Sequence, residues 1–505
     1  MLFNSYAFIF GFLPLTLAAY CFLGQRVSPR AALLWLTAAS LFFYGWWDPA
    51  YLALLGASIL FNFSIGLLLT RAAHQSRPWR WPLLAFGVMA NLGLLGYYKY
   101  AGFFSENLAA LTGLDLQLQA VILPLGISFY TFTQIAYLVD AARGEAEEYN
   151  PISYCLFVTF FPHLIAGPII HHRRVMPQFT NPAIFRFNHT NFAVGITFFA
   201  IGLFKKVVFA DTLATYSSPV FAAAADGASL SAIEAWAGAL AYTLQLYFDF
   251  SGYSDMAVGL SRMFGIILPF NFNSPYQAVN IIDFWRRWHM SLSAFLRDYL
   301  YFSLGGNRLG KLRRYLNLLV TMLLGGLWHG AGWTFVVWGA LHGGYLVVNH
   351  AWHALRAQVG FPLGSGTAWG RGIARLFTLL AVIVGWVFFR AENIDAALQL
   401  LAAMGGGNGL MGPETLEQLA VARLTAWPSI ADIAMFLLAV DHWLIIGGIL
   451  LLALFAPNSQ EWVIGRQTEC PRWRPSPFWA SVTAAMLLLC VSQMSQVSEF
   501  LYFQF

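Results

Sequence analysis

Two histidines lie in sequence that is otherwise oily. His289 closes the run Asp283-Phe284-Trp285-Arg286-Arg287-Trp288-His289, and His329 sits in Gly325-Gly326-Leu327-Trp328-His329-Gly330-Ala331-Gly332. An ionisable side chain at membrane depth is costly, so it is kept where it faces protein or a wet cavity and serves a function. Imidazole takes and returns a proton near neutral pH. Moving an acyl group onto a hydroxyl needs such a base, which removes the hydroxyl proton as oxygen attacks a thioester carbonyl. His329 fits that role; the bland alternative is a packing histidine bonded to a neighbouring carbonyl. His289 could orient a substrate, polarise a carbonyl or share the proton with His329. It could equally be an interfacial histidine solvated by headgroups.

Other side chains could serve the same chemistry. Trp285 and Trp328 flank the histidines and could contact a donor. Arg286, Arg287, Arg297, Arg308 and Lys311, with Asn307 beside Gly305-Gly306, could hold the phosphates of a nucleotide-bearing acyl donor. Each cation taken singly also fits plain positive-inside topology. Asp249 and Asp255 could partner a histidine or an arginine, or cap a helix end next to Ser251 and Gly252. His163 lies between Pro162 and Pro168, which would kink or interrupt a helix. His171 and His172 read as interfacial, and no carboxylate joins them at ligand spacing, so no metal is expected. Cys21, Cys155, Cys470 and Cys490 show no C-x-x-C spacing and read as buried, unreactive thiols.

The elements that must position these groups are membrane helices. Of 505 residues, 59% are hydrophobic and 10% charged, against about 25% charged in soluble domains. Such a chain divides into apolar spans of roughly 20 residues. Candidates include Tyr6–Gly24, Tyr51–Thr70, Trp81–Tyr98, Phe192–Phe209, Ala232–Phe250, Leu316–Leu327, Thr334–Val348 and Phe478–Cys490. The first reads as a retained helix, because no basic residue precedes it. The net charge of +5 is spread through short loops, which speaks against a nucleic-acid surface. Arg26 and Arg30, then Arg71, Arg77 and Arg80, put two early loops on one face, read as cytoplasmic. The basic cluster Arg297 to Arg314 is expected on the same face. Between Pro269 and Arg314 the pattern suits interfacial or re-entrant helices. The glycines around His329 weaken a continuous helix, so this residue is expected on irregular backbone lining a cavity. Gly405-Gly406-Gly407 and the stretch through Glu417 mark a surface loop.

Four motifs between Asn271 and Gly344 follow one another in order. They are the His289 run, Leu296-Arg297-Asp298-Tyr299-Leu300, Leu304-Gly305-Gly306-Asn307-Arg308 and the His329 run. Phe160-Phe161-Pro162-His163-Leu164-Ile165-Ala166-Gly167-Pro168, Trp386-Val387-Phe388-Phe389-Arg390-Ala391 and the terminal Phe500-Leu501-Tyr502-Phe503-Gln504-Phe505 extend the pattern. Together they resemble the membrane-bound O-acyltransferase (MBOAT) family, in particular its bacterial alginate O-acetyltransferase branch. One departure is Tyr301-Phe302-Ser303-Leu304, which lacks a proline expected before Leu-Gly-Gly.

The resemblance implies an all-α polytopic protein with re-entrant or interfacial helices and a central tunnel. It implies one membrane-embedded unit over 1–505, with a core of about 120–390, N-terminal spans within 6–98 and C-terminal spans within 433–490. It implies a multi-pass protein of the bacterial inner (cytoplasmic) membrane. His329 matches the family's near-invariant histidine and His289 its second polar position. The implied donor is cytoplasmic acetyl-CoA, with no metal. The implied partner is an extracytoplasmic acetyl-transfer protein, SGNH-hydrolase-like or related, which would load a cell-envelope polysaccharide such as alginate. Peptidoglycan acetylation and D-alanyl transfer are alternatives within the family. A proton-coupled transporter or flippase, and a structural subunit that docks a polysaccharide synthase, are alternatives outside it.

Overall fold

The computed structural model describes residues 1–113, 122–146, 150–360, 367–411, 430–465, 473–494 and 501, with the main chain alone for 430–440. Cys470, the stretch from 412 to Glu417 and the terminal motif other than Leu501 lie outside the described residues. Every regular element among the described residues is helical. In chain order they include α1 (Ala7–Arg26), α2 (Pro29–Gly45), α3 (Ala50–His74), α4 (Arg80–Thr112), α5 (Ile127–Arg143), α6 (Pro151–Thr159), α7 (His172–Phe179) and α8 (His189–Ala225). There follow α9 (Ala232–Met263), α10 (Ile281–Trp285), α11 (Met290–Phe295), α12 (Gly310–His329), α13 (Trp333–Gln358), α14 (Ala368–Arg390), α15 (Ile394–Met404), α16 (Ile430–Phe455) and α17 (Pro477–Gln493). Among the described residues, α1, α3, α4, α8 and α14 are long and apolar enough to cross a membrane. The chain is an all-α polytopic membrane protein.

Several helices outrun their expected ends. α4 continues past Tyr98 to Thr112, and α9 continues past Phe250 to Met263. A span read from hydropathy stops where a charge appears. Here the charges are answered by neighbouring helices, so the helix goes on. Asp249 and Asp255 therefore lie inside α9 and cap nothing. Among the described residues they also pair with neither histidine nor arginine. Lys206 reaches Asp249 at 2.7 Å and Lys205 reaches Asp255 at 2.6 Å. A π-helical turn at Lys205–Ala210 widens α8 at this point, and both lysines reach α9 from it.

Helices in lipid gain little from hydrophobic association, so close backbone packing matters more. Gly195 and Gly202 of α8 face Gly259 and Gly252 of α9. A Cβ on Gly195 or Gly202 would collide with the opposing main-chain oxygen. The same device joins α12 to α13, where Gly326 lies against the oxygen of Phe335 and Gly339 against that of Met322. In the N-terminal half the glue is polar: Asn62 and Asn91 exchange side-chain hydrogen bonds of 3.1 and 2.7 Å between α3 and α4.

The prolines do interrupt the chain where expected. α6 ends at Thr159, and the turn through Pro162 leaves His163 buried with its Nε2 2.9 Å from the oxygen of Phe157. His171 and His172 are less alike than the sequence suggests. His171 Nδ1 lies 3.1 Å from the Tyr299 hydroxyl, whereas His172 is buried against the rings of Tyr137 and Phe157. His172 is covered by protein because α7 folds back under α6. Cys490 is buried, while Cys21 and Cys155 are half-buried free thiols.

Candidate active site

His329 is the last residue of α12. Gly325 and Gly326 do not break that helix as the sequence suggested. Gly326 lets α13 approach while Gly325 faces Leu296, and the helix ends at Gly330 in extended backbone. The expectation of a cavity holds. His329 lines a space of about 80 Å³ together with Lys99, Pro124, Gly126, Ser128 and Ile165. Gly126, at φ +71°, turns the chain from that wall into α5, a conformation that suits glycine. Tyr44 steadies the same wall by donating to the oxygen of Leu125 at 2.9 Å.

The end of α12 is held by a lysine absent from the sequence-derived site. A helix C-terminus presents unsatisfied carbonyls and a partial negative charge, which a cation can answer. Lys99 Nζ donates to the oxygen of Trp328 at 2.6 Å and to that of His329 at 3.1 Å. The hydroxyl of Tyr100 donates to the oxygen of Leu327 at 2.6 Å. Both groups sit on a π-helical turn, Gly96–Tyr100, which lets two consecutive side chains reach one helix end.

His289 is wholly buried, so it is not an interfacial histidine bathed by solvent. It precedes α11 with φ 42° and ψ 54°, a left-handed conformation uncommon for a side-chain-bearing residue. Asn271 pins that turn: its main-chain oxygen accepts from Met290 N at 2.9 Å and its Oδ1 from Ser291 N at 3.2 Å. The His289 ring lies edge-on to Phe250 at 4.7 Å and 6.1 Å from Trp328. Trp328 lies 4.9 Å from the His329 ring. One indole therefore touches both histidines, which the sequence holds forty positions apart.

An aromatic box adjoins them. His329 packs against Trp338 and Phe389, each at 5.1 Å. Trp338 leads to His342 at 4.8 Å, and Trp285 covers both, at 5.8 Å from Trp338 and 5.3 Å from His342. Trp285 and Trp328 are thus brought to the site. Arg286, next to Trp285, points instead into a separate open basin with His350 and His353. Arg297, Asn307 and Arg308 are not brought to His329. Arg297 is engaged by Asp298 at 2.7 Å. Asn307 and Arg308 are exposed in the loop before α12, whose 20 residues separate them from His329 by about 30 Å along the helix axis.

Residues 69–384 match the membrane-bound O-acyltransferase family, MBOAT. The chain is 45% identical over 438 residues to a peptidoglycan O-acetyltransferase of Helicobacter pylori, covering 81% of each chain. It is also 45% identical over 433 residues to a probable alginate O-acetylase of Pseudomonas putida, covering 84% of each. The chain belongs to the membrane-bound O-acyltransferase family. A more distant member, a teichoic acid D-alanyltransferase of Streptococcus thermophilus, is 26% identical over 286 residues, or 54% of this chain and 69% of its own length. As an MBOAT protein the chain is an O-acyltransferase, and the transporter and docking-subunit alternatives give way to an enzyme.

Proposed function

We propose that this protein is an O-acetyltransferase of the bacterial inner membrane, passing acetyl from cytoplasmic acetyl-CoA toward hydroxyls of a cell-envelope polysaccharide. The two relatives named for acetylation, a peptidoglycan O-acetyltransferase and a probable alginate O-acetylase, stand at equal identity. The acceptor class proposed is therefore a glycan hydroxyl, reached through an extracytoplasmic partner that carries the acetyl group onward. The observation that carries this reading is the placement of His329. Its imidazole lines a cavity while Lys99 binds the carbonyls at its own helix end.

In the proposed step His329 is the general base. The acceptor hydroxyl gives its proton to the imidazole as its oxygen bonds to the thioester carbonyl carbon. The tetrahedral oxyanion collapses, the carbon–sulfur bond breaks, and the thiolate takes the proton back from His329 to leave as thiol. An ester forms and the imidazole is regenerated. Lys99 Nζ stands on the wall where negative charge would develop, and a fixed hydrogen-bond donor there favours the transition state over the ground state. His289 and Trp328 would orient the thioester.

Purified protein in liposomes, given acetyl-CoA labelled in the acetyl group and a glycan acceptor with its partner protein, tests the reading. Label covalently attached to the partner or glycan is expected. Thioester that stays intact, with label recovered as acetyl-CoA alone, contradicts it.

A further inference from the structure

The basin beside Arg286 has no part in the chemistry above. It is an open space of about 510 Å³ lined by Val279, Asn280, Ile282, Asp283, Arg286, His350 and His353. Two elements build it. α10 turns Trp285 toward the aromatic box and Arg286 toward the basin. α13 supplies His350 and His353 from its last turns.

The charges in the basin are unbalanced. Asp283 is its one carboxylate among the described residues, and that group is taken. It accepts from Arg287 Nε at 2.8 Å and from Val279 N at 3.3 Å. Arg286 makes no ion pair among the described residues. A guanidinium with two imidazoles and the Asn280 amide at an open mouth is the donor set that recognises a phosphate.

The basin is also in register with the reacting centre. His342 and His353 are eleven residues apart on α13, three full turns, so they share one side of the helix about 17 Å apart. His342 is buried, and neither of its ring nitrogens has a hydrogen-bond partner among the described residues. The ring packs directly against Gly385, where an added Cβ would come within 2.8 Å of Nε2. From His342 the Trp338 ring leads directly to His329. One side of α13 thus joins the open basin, a buried imidazole without a hydrogen-bond partner among the described residues and, through Trp338, the proposed base.

We infer that the basin of Asn280, Arg286, His350 and His353 is a phosphate-binding site that holds the anionic end of the acyl donor, whose arm runs along α13 past His342 to His329. This rests on the acyl-transfer reading. It moves the phosphate contacts from Arg297, Asn307 and Arg308 to a place those residues do not line. A phosphate could also come from a lipid headgroup, so the test has an arm for each source.

Full-length protein is placed in discs of phosphatidylcholine. Coenzyme A binding is measured by calorimetry, and thiol release is followed from acetyl-CoA and from S-acetyl-N-acetylcysteamine, which carries no phosphate. Arg286→Gln and the double change His350→Gln/His353→Gln are compared with Arg30→Gln, an exposed cation elsewhere. Each basin variant is expected to weaken coenzyme A binding at least tenfold and to lower the preference for acetyl-CoA over the short thioester by a similar factor. Arg30→Gln should alter neither. Unchanged coenzyme A binding overturns the assignment, as do equal losses with both thioesters. A response seen solely when phosphatidylglycerol is added to the disc makes it a lipid site and overturns it too. Thiol release absent from wild-type protein with both thioesters would instead count against the acyl-transfer reading, and the calorimetry would still decide the basin.

Discussion

Lys99 donates a 3.1 Å hydrogen bond to the main-chain oxygen of His329, from a helix more than two hundred residues earlier in the chain. The contact ties the N-terminal helices to the end of α12. It fixes where the imidazole stands and places the lysine Nζ on the same cavity wall. Hydrogen bonds to charged groups are worth about 1.5–3 kcal/mol. Lys99→Met should therefore cut turnover at least about tenfold while the protein still inserts, and Lys99→Arg should restore part of the loss. The check is the acetyl-transfer rate of protein matched for yield and monodispersity in detergent.

His289 separates backbone from side chain in a useful way. Its left-handed turn is tolerated by asparagine better than by most residues. His289→Asn should keep the Asn271-pinned turn and the fold, yet lower transfer at least about tenfold because the imidazole is gone. Unfolding temperature and turnover measured on one preparation test both halves.

The buried lysine–carboxylate pairs should behave as units. Lys206 and Asp249 are each about 3% or less exposed at their side chains, and Asp249 also accepts from the amide of Leu501 at 3.1 Å. Lys206 also reaches Asp211 at 2.9 Å, so it is removal of the lysine that strands a buried carboxylate, at about 3–5 kcal/mol. Lys206→Met should sharply lower the yield of folded protein. The double change Lys206→Met with Asp249→Asn should recover much of it. Size-exclusion profiles across a temperature series make the comparison.

The two histidines were legible because an ionisable side chain in oily sequence is conspicuous. The same reasoning reaches Lys99, Lys205, Lys206 and His342, which it did not single out. Lys99 fell one residue beyond a span drawn to Tyr98. Lys205, Lys206 and His342 fell inside drawn spans and were averaged away by their neighbours. The partners of Asp249 and Asp255 were hidden for a different reason: helix pairing is set by glycines spaced seven apart on α8 and α9, a pattern with meaning only once two helices meet. The glycines near His329 misled in the same way. Glycine weakens an isolated helix, but against a second helix it permits contact, and α12 runs through both to the histidine. The basin was half visible in Arg286. Its other wall, His350 and His353, lies beyond the expected end of α13 at Val348.

The central claim is that the His329 imidazole carries the proton of the transfer step. The most direct measurement is single-turnover acetyl transfer from labelled acetyl-CoA by wild-type protein and by His329→Ala and His329→Gln in identical liposomes, with coenzyme A binding recorded for each. Both variants should bind coenzyme A within about twofold of wild type, since binding energy and base catalysis are separable, and should transfer acetyl at least a hundredfold more slowly. Transfer at the wild-type rate by either folded variant would contradict the account.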